Sequence, residues 1–165
     1  MADAAQAFST LVSLARGATA AALPLPAQEQ KAEVWRGLAF NVGSTRLLSS
    51  IGEVEEVIEV PALTRVPGTA EWLLGISNVR GRILPVVDLC AYFGFEKGVS
   101  EEEWRVLVVE RGELLVGLLV EQAFGMMQFE SSDADPEQEI ALGNALDPYL
   151  RAGYRQSGRH WRVMD

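Results

Sequence analysis

Residues 72–88 read Trp72-Leu73-Leu74-Gly75-Ile76-Ser77-Asn78-Val79-Arg80-Gly81-Arg82-Ile83-Leu84-Pro85-Val86-Val87-Asp88, and the punctuation of this run decides the fold. Trp72, Leu73 and Leu74 make one apolar helical turn, which Gly75 ends. Ile76 to Val79 is a short strand. Arg80-Gly81 permits a tight reversal, because glycine tolerates positive φ. Arg82 to Val87 runs back as an apolar strand, and Pro85 within it calls for an edge position or a bulge. Asp88 can then cap a short helix, Leu89 to Phe93, which Gly94 closes. The run is therefore a hairpin with Arg80 at its tip. An arginine on a rigid turn suits a partner's carboxylates or carbonyls. It suits a solvated turn equally well, and spacing does not separate the two.

Hairpins recur on both sides of this one. Upstream, Trp35 to Phe40 and Thr45 to Ser49 flank an Asn41-Val42-Gly43-Ser44 turn. Val54 to Val60 mixes apolar and acidic residues in partial alternation, as a half-buried strand does. Downstream, Trp104 to Val109 and Leu114 to Val120 flank Arg111-Gly112-Glu113. Phe124 to Phe129 is a further strand, and Gly153 to Asp165 holds two more around Ser157-Gly158. Asp133-Ala134-Asp135-Pro136-Glu137 reads as a loop that could cap a short helix. This makes about ten short strands at regular spacing with little helix, the pattern of small barrels or a sandwich. Closure is favoured, because open edges invite aggregation.

The chain also echoes itself. Gly81-Arg82-Ile83-Leu84-Pro85-Val86-Val87-Asp88 parallels Gly158-Arg159-His160-Trp161-Arg162-Val163-Met164-Asp165. Upstream of each, Trp72 to Ile76 parallels Tyr149 to Tyr154 with one residue inserted. Two related small barrels would produce such an echo.

Composition narrows the function. The 165 residues are 48% hydrophobic and 22% charged, as in a globular domain, and the formal net charge is −9. A surface that acidic repels phosphate backbones and anionic lipid, which argues against nucleic-acid and direct membrane partners. One cysteine excludes an intramolecular disulfide. No window holds a membrane-spanning apolar run, and the first charge is Asp3 rather than the basic start of a signal peptide, so a cytoplasmic setting is expected.

Catalytic chemistry finds no foothold. There is no phosphate loop ending in Lys-Ser or Lys-Thr and no Cys or His cluster. Cys90 lies in the apolar run Val86 to Phe93 and reads as a buried structural thiol. His160, between Arg159 and Trp161, reads as a strand residue. Glu101-Glu102-Glu103 reads as a solvated loop. Neither a metal nor a cofactor is expected.

Residues 75–89 resemble the signature of the CheW family of chemosensory coupling proteins, Gly-x-x-Asn-x-Arg-Gly-x-Ile-x-Pro-x-x-Asp-Leu, with only conservative apolar changes. Val54-Glu55-Glu56-Val57-Ile58 and Val116-Gly117-Leu118-Leu119-Val120-Glu121 are similar to two further strands of the family. The resemblance spans residues 35–165, which makes residues 1–34 an N-terminal extension. It implies a mainly β fold of two small five-stranded SH3-like barrels on a shared hydrophobic core, with few short helices. It implies no enzyme activity. It implies an adaptor that joins the cytoplasmic tip of a methyl-accepting chemoreceptor to a CheA-type histidine kinase, recruited to the inner face of the membrane by the receptor. Carried over residue by residue, the receptor-binding set is Val54, Glu56, Asn78, Val79, Arg80 and Gly81. Opposite charge at two motif positions suggests that Glu56 and Arg80 pair. For the kinase, the expectation is apolar barrel-edge surface at Leu114, Val116 and Leu118. The long extension and Val66-Pro67-Gly68-Thr69 resemble the branch serving type IV pilus twitching systems. A flagellar chemotaxis coupling protein, an unrelated β-barrel binding module and a small enzyme with a cleft between barrels are the other readings.

Cys90 departs from the family, many of whose members carry a basic residue there. Within the extension, Ala4 to Ala22 is alanine-rich, with Phe8, Leu11, Val12 and Ala15 on one helical face, until Leu23-Pro24-Leu25-Pro26 stops the helix. The extension reads as a loosely docked segment or as a helix that packs on a partner, the first being preferred.

Overall fold

A computed structural model of the protein describes residues 34–135 and 142–165. The expected helix in residues 4–22, the proline break after it and the loop residues from Pro136 onward lie outside the described residues. The strands are β1 Val34–Val42, β2 Thr45–Ser50, β3 Val54–Glu59, β4 Leu73–Val79, β5 Arg82–Asp88, β6 Arg105–Arg111, β7 Leu114–Val120, β8 Gln122–Glu130, β9 Leu150–Gln156 and β10 Arg159–Met164. One short helix, α1 (Leu89–Phe93), follows β5, with Asp88 accepting a hydrogen bond from the Ala91 N–H at 3.1 Å.

The strands form two sheets of five, ordered β8-β1-β2-β10-β9 and β3-β6-β7-β5-β4. Each curls around its own apolar core, giving barrel A and barrel B respectively. The hairpins β1–β2 and β6–β7 each send their next strand to the other barrel. β3 follows β2 but pairs with β6, and β8 follows β7 but pairs with β1. This exchange ties the barrels together through the backbone.

The two barrels are copies in register. β5 lies parallel to β7 with Val86 opposite Gly117, and β10 lies parallel to β2 with Val163 opposite Leu48. The ladder β4–β5 is bulged between Leu73 and Gly75, and β9–β10 between Leu150 and Ala152. The Asp88 N–H donates to the Trp72 carbonyl at 2.8 Å, and the Asp165 N–H donates to the Tyr149 carbonyl at 3.0 Å. The structural echo thus pairs Trp72 with Tyr149 and Gly75 with Ala152 residue for residue. The inserted residue expected from sequence is corrected: both copies carry the same extra residue as a bulge.

Among the described residues, three apolar clusters form the interior. Ala39, Leu48, Phe129, Trp161 and Val163 lie within barrel A. Leu84, Val86, Val106, Val108 and Leu119 lie within barrel B. Leu38, Phe40, Val42, Leu47, Leu89, Leu107, Val120, Leu146 and Leu150 form the core between them. Strand alternation explains the division, because successive side chains face opposite sides. Along β1, Ala39 points into its own barrel while Leu38 and Phe40 point into the shared core.

Other expectations change in detail. Trp72-Leu73-Leu74 is not a helical turn, because Leu73 and Leu74 belong to β4. Backbone crowding at Gly75 is responsible. A Cβ there would press on the Thr64 carbonyl oxygen and lie 2.9 Å from its carbon, and φ is +146°. Gly75 therefore lets the segment at Thr64 bond to Ile76 in both directions, at 2.8 and 2.9 Å, rather than ending a helix. Pro85 is not on an edge strand, since β5 lies between β7 and β4. The parallel ladder to β7 begins only at Val86, so a missing N–H at Pro85 interrupts nothing. The first turn is shorter than expected, with Asn41 and Val42 still in β1.

Candidate functional site

Arg80 occupies the tip of the β4–β5 hairpin in the left-handed region, with φ 53° at Arg80 and 81° at Gly81. This is the twist-matched two-residue turn that favours Asn-Gly. Asn78 sets it, its side-chain oxygen accepting from the Gly81 N–H at 2.9 Å. An arginine in this backbone region costs about 1 kcal/mol, so local preference does not account for its presence.

The Arg80 guanidinium donates to Glu56 Oε1 on β3 at 2.6 Å. β3 and β4 are the two ends of barrel B's sheet order and share no ladder. The ion pair therefore spans the seam where the sheet closes. Arg80's side chain is 76% exposed and Glu56's 32%. An exposed pair of this kind contributes little to stability. Its guanidinium stays open to a second partner.

Barrel A supplies an internal control. The register places Ser157 at the position of Arg80, with the same φ of 53°, and Gly125 at the position of Glu56. The twin turn folds with neither charge. The Arg80–Glu56 pair is thus an addition to the fold rather than a requirement of it.

Val54 and Glu56 border a groove of about 270 Å³ between the start of β3 and the middle of β8, lined also by Leu38, Ile51, Val57 and Met126. Ile51 and Met126 are each 60% exposed on its rim. Val54 itself packs against the shared core, so it shapes the groove from below. Val79 packs against the core of barrel B and holds the hairpin from inside. Of the six residues expected at the receptor site, Glu56, Asn78, Arg80 and Gly81 lie at the seam, and Val54 and Val79 support it.

The sequence reading missed a second ion cluster beside the first. Arg82 holds Glu110 on β6 by two bonds of 2.6 and 2.8 Å and lies 3.9 Å from Glu55 on β3. The hydrogen bond from Arg82 is the main cause that holds the Glu110 carboxyl below the usual carboxylate range, and the guanidinium is pushed up in turn. By linkage, this bond is fully present above the ordinary carboxylate range and is lost as pH falls through the lowered folded-state value. Val-Glu-Glu-Val gives no warning that Glu55 is the extra residue of a bulge.

The expected edge strand at Leu114–Val120 is corrected. β7 has β6 on one side and β5 on the other. Val116 is half-buried, Leu118 packs on the shared core, and only Leu114 remains open, at 63%. Alternation on a central strand leaves one end residue, rather than a face, available to a partner.

Cys90 is buried, as its apolar run suggested. Its sulfur accepts from the Gly43 N–H at 3.2 Å and donates to Glu121 Oε2 at 3.6 Å. Glu121 in turn accepts from the backbone N–H groups of Gly98 and Val99. Burial, chiefly, pushes the thiol up to about 11. At pH 8 a thiol in that state is about one part in a thousand thiolate. In the native protein Cys90 is expected to react with a disulfide reagent at least about a hundredfold more slowly than in the urea-unfolded chain; an equal rate would show that the site is open. His160 is a strand residue whose Nδ1 lies 3.5 Å from Asp135.

Among the described residues no helix is long and apolar enough to cross a membrane. A family model described as a CheW-like domain matches residues 36–165. The chain is 36% identical over 163 residues to Protein PilI of Pseudomonas aeruginosa, covering 99% of this chain and 90% of that one. It is 30% identical over 113 residues to the chemotaxis protein CheW of Thermotoga maritima, covering 68% of this chain and 70% of that one. Among solved structures, the scaffolding protein TtCheW of Thermoanaerobacter tengcongensis superposes with a TM-score of 0.67 at 22% identity, over 79% of this chain and 88% of that one, a likeness of fold. With its signature at the seam of barrel B and the family model running through both barrels, the chain belongs to the CheW family.

Proposed function

We propose that this protein is a non-enzymatic adaptor that couples the cytoplasmic tip of a methyl-accepting chemoreceptor to a CheA-type histidine kinase in a system controlling type IV pilus twitching motility. The observation that carries the reading is the Arg80–Glu56 pair. It occupies signature positions, it spans the seam of one barrel, and its twin in the other barrel has been left uncharged. The adjoining groove, apolar on its rim and acidic at Glu55 and Glu56, suits an apolar helix face followed by a polar or basic residue. Receptor and kinase would be held in register, so that a change in one biases the other. The protein would work in the cytoplasm and reach the membrane through its receptor. Leu114 is the residue of the expected kinase set best placed for direct contact.

The pilus assignment rests on the likeness to PilI along nearly the whole chain. Likeness to chemotaxis CheW proteins over about two thirds of the chain supports a flagellar pathway as the second reading. Deletion of the gene separates them. Loss of twitching zones with normal swimming is the expected phenotype, and the protein should co-purify with a CheA-type kinase of the same strain. Normal twitching with lost swimming would favour the flagellar pathway. Failure to capture any CheA-type kinase would remove the adaptor reading.

A further inference from the structure

In a regular strand, Glu55 and Glu56 would point to opposite faces. The bulge changes this. Val54 lies opposite Val109 and Glu56 opposite Val108, so Glu55 is the extra residue, and such an insertion re-aims its side chain. As a result both carboxylates reach the same hairpin, Glu56 to Arg80 and Glu55 toward Arg82. Arg82 also holds Glu110, so one guanidinium sits between two carboxylates from different strands. Barrel A has the same bulge, at Phe124 on β8, with no charge in it. The bulge therefore belongs to the fold, as does an arginine beside it, since Arg159 matches Arg82; the carboxylates do not, with Phe124 in place of Glu55 and Asn41 in place of Glu110.

We infer that Arg82 is a positioning residue for the seam: by neutralising Glu55 and Glu110 together, it holds the bulged start of β3 where Glu56 can meet Arg80. Without it the two carboxylates face each other, and the freest motion that separates them moves β3 away from the hairpin. β3 is an end strand of its sheet, with a ladder on the β6 side only. The inference rests on the receptor reading only for its consequence, since the position of β3 can be measured without a receptor.

The test uses the full chain and two readouts, hydrogen exchange of the Glu56 and Val57 amides and binding of a purified cytoplasmic-tip fragment of a chemoreceptor from the same organism. Arg82→Gln is expected to speed that exchange and to weaken binding about three- to tenfold, the scale of one like-charge repulsion at the protein surface. Adding Glu110→Gln to Arg82→Gln removes the repulsion and should bring both back toward wild type. Arg80→Gln alone reports on the receptor contact. If Arg80→Gln binds as wild type, the receptor reading fails, and exchange in Arg82→Gln still decides the role of Arg82. Wild-type exchange in Arg82→Gln overturns the inference whatever the binding shows. Faster exchange that Glu110→Gln does not correct overturns it as well, because lost packing of the arginine stem would then be the cause.

Discussion

Arg80→Glu is expected to weaken binding of the receptor tip by at least about a hundredfold while leaving the fold standing. The substitution does more than remove a cation. It sets a carboxylate against Glu56, where the native guanidinium approaches to 2.6 Å, with Glu55 next in sequence. A partner that recognises a guanidinium would then meet clustered negative charge, and like-charge juxtaposition across an interface costs several kcal/mol. The fold should tolerate the change. The side chain is exposed, the turn conformation belongs to the backbone, and barrel A forms the same turn with Ser157. Circular dichroism should match wild type, and the midpoint of thermal unfolding should move by no more than about 3 °C, the scale of a surface substitution. Unchanged receptor binding would remove Arg80 from the site. A collapsed spectrum would show that the pair is structural and that the comparison with Ser157 misleads.

Gly75→Ala is expected to have the largest effect on stability. The added methyl would drive into the Thr64 carbonyl, and the φ of +146° is one that a side chain strongly disfavours. Both costs fall on a bulge inside the ladder, where β4 is gripped by β5 on one side and by Thr64 on the other. A loss of about 3 kcal/mol or more follows from a strained backbone combined with a forced displacement. This corresponds to about 10 °C in a domain of this size. Ala152 makes a useful comparison. It stands at the matching position in barrel A, and alanine is tolerated there. Its φ is not positive, although Asp135 bonds to Gly153 beside it as Thr64 bonds to Ile76, so the positive φ that sets Gly75 against Thr64 is what excludes a side chain in barrel B. A urea midpoint for Gly75→Ala equal to wild type would refute the crowding argument.

Much of the fold was legible in local signals. The turns at Arg80-Gly81 and Ser157-Gly158 were readable because they need positive φ, and their residues say so. Asp88 and Gly94 bounded α1 for similarly local reasons. Strand spacing and the echo were enough to suggest two related barrels. Where the reading failed, distant backbone was responsible. Leu73 and Leu74 look helical until Thr64 is placed beside Gly75. Pro85 calls for an edge or a bulge until the ladder to β7 is seen to begin one position later. Leu114 to Val120 looks like a free strand until β5 arrives beside it from the preceding hairpin.

The candidate site divides in the same way. The signature named Arg80, Asn78 and Gly81, and opposite charge at motif positions was enough to suggest a partner in Glu56. Arg82, Glu55 and Glu110 come from three strands, and no spacing along the chain brings them together. Their cluster depends on a bulge, whose position is a property of the paired ladder rather than of Val54-Glu55-Glu56-Val57. Sequence by itself determined the hairpin, its turn and the arginine at its tip, because these depend on φ preferences and alternation within a few residues. Only the tertiary structure decided that β3 crosses to the other barrel and closes it. That exchange puts Glu56 against Arg80, since two ends of one sheet meet only when the whole sheet curls.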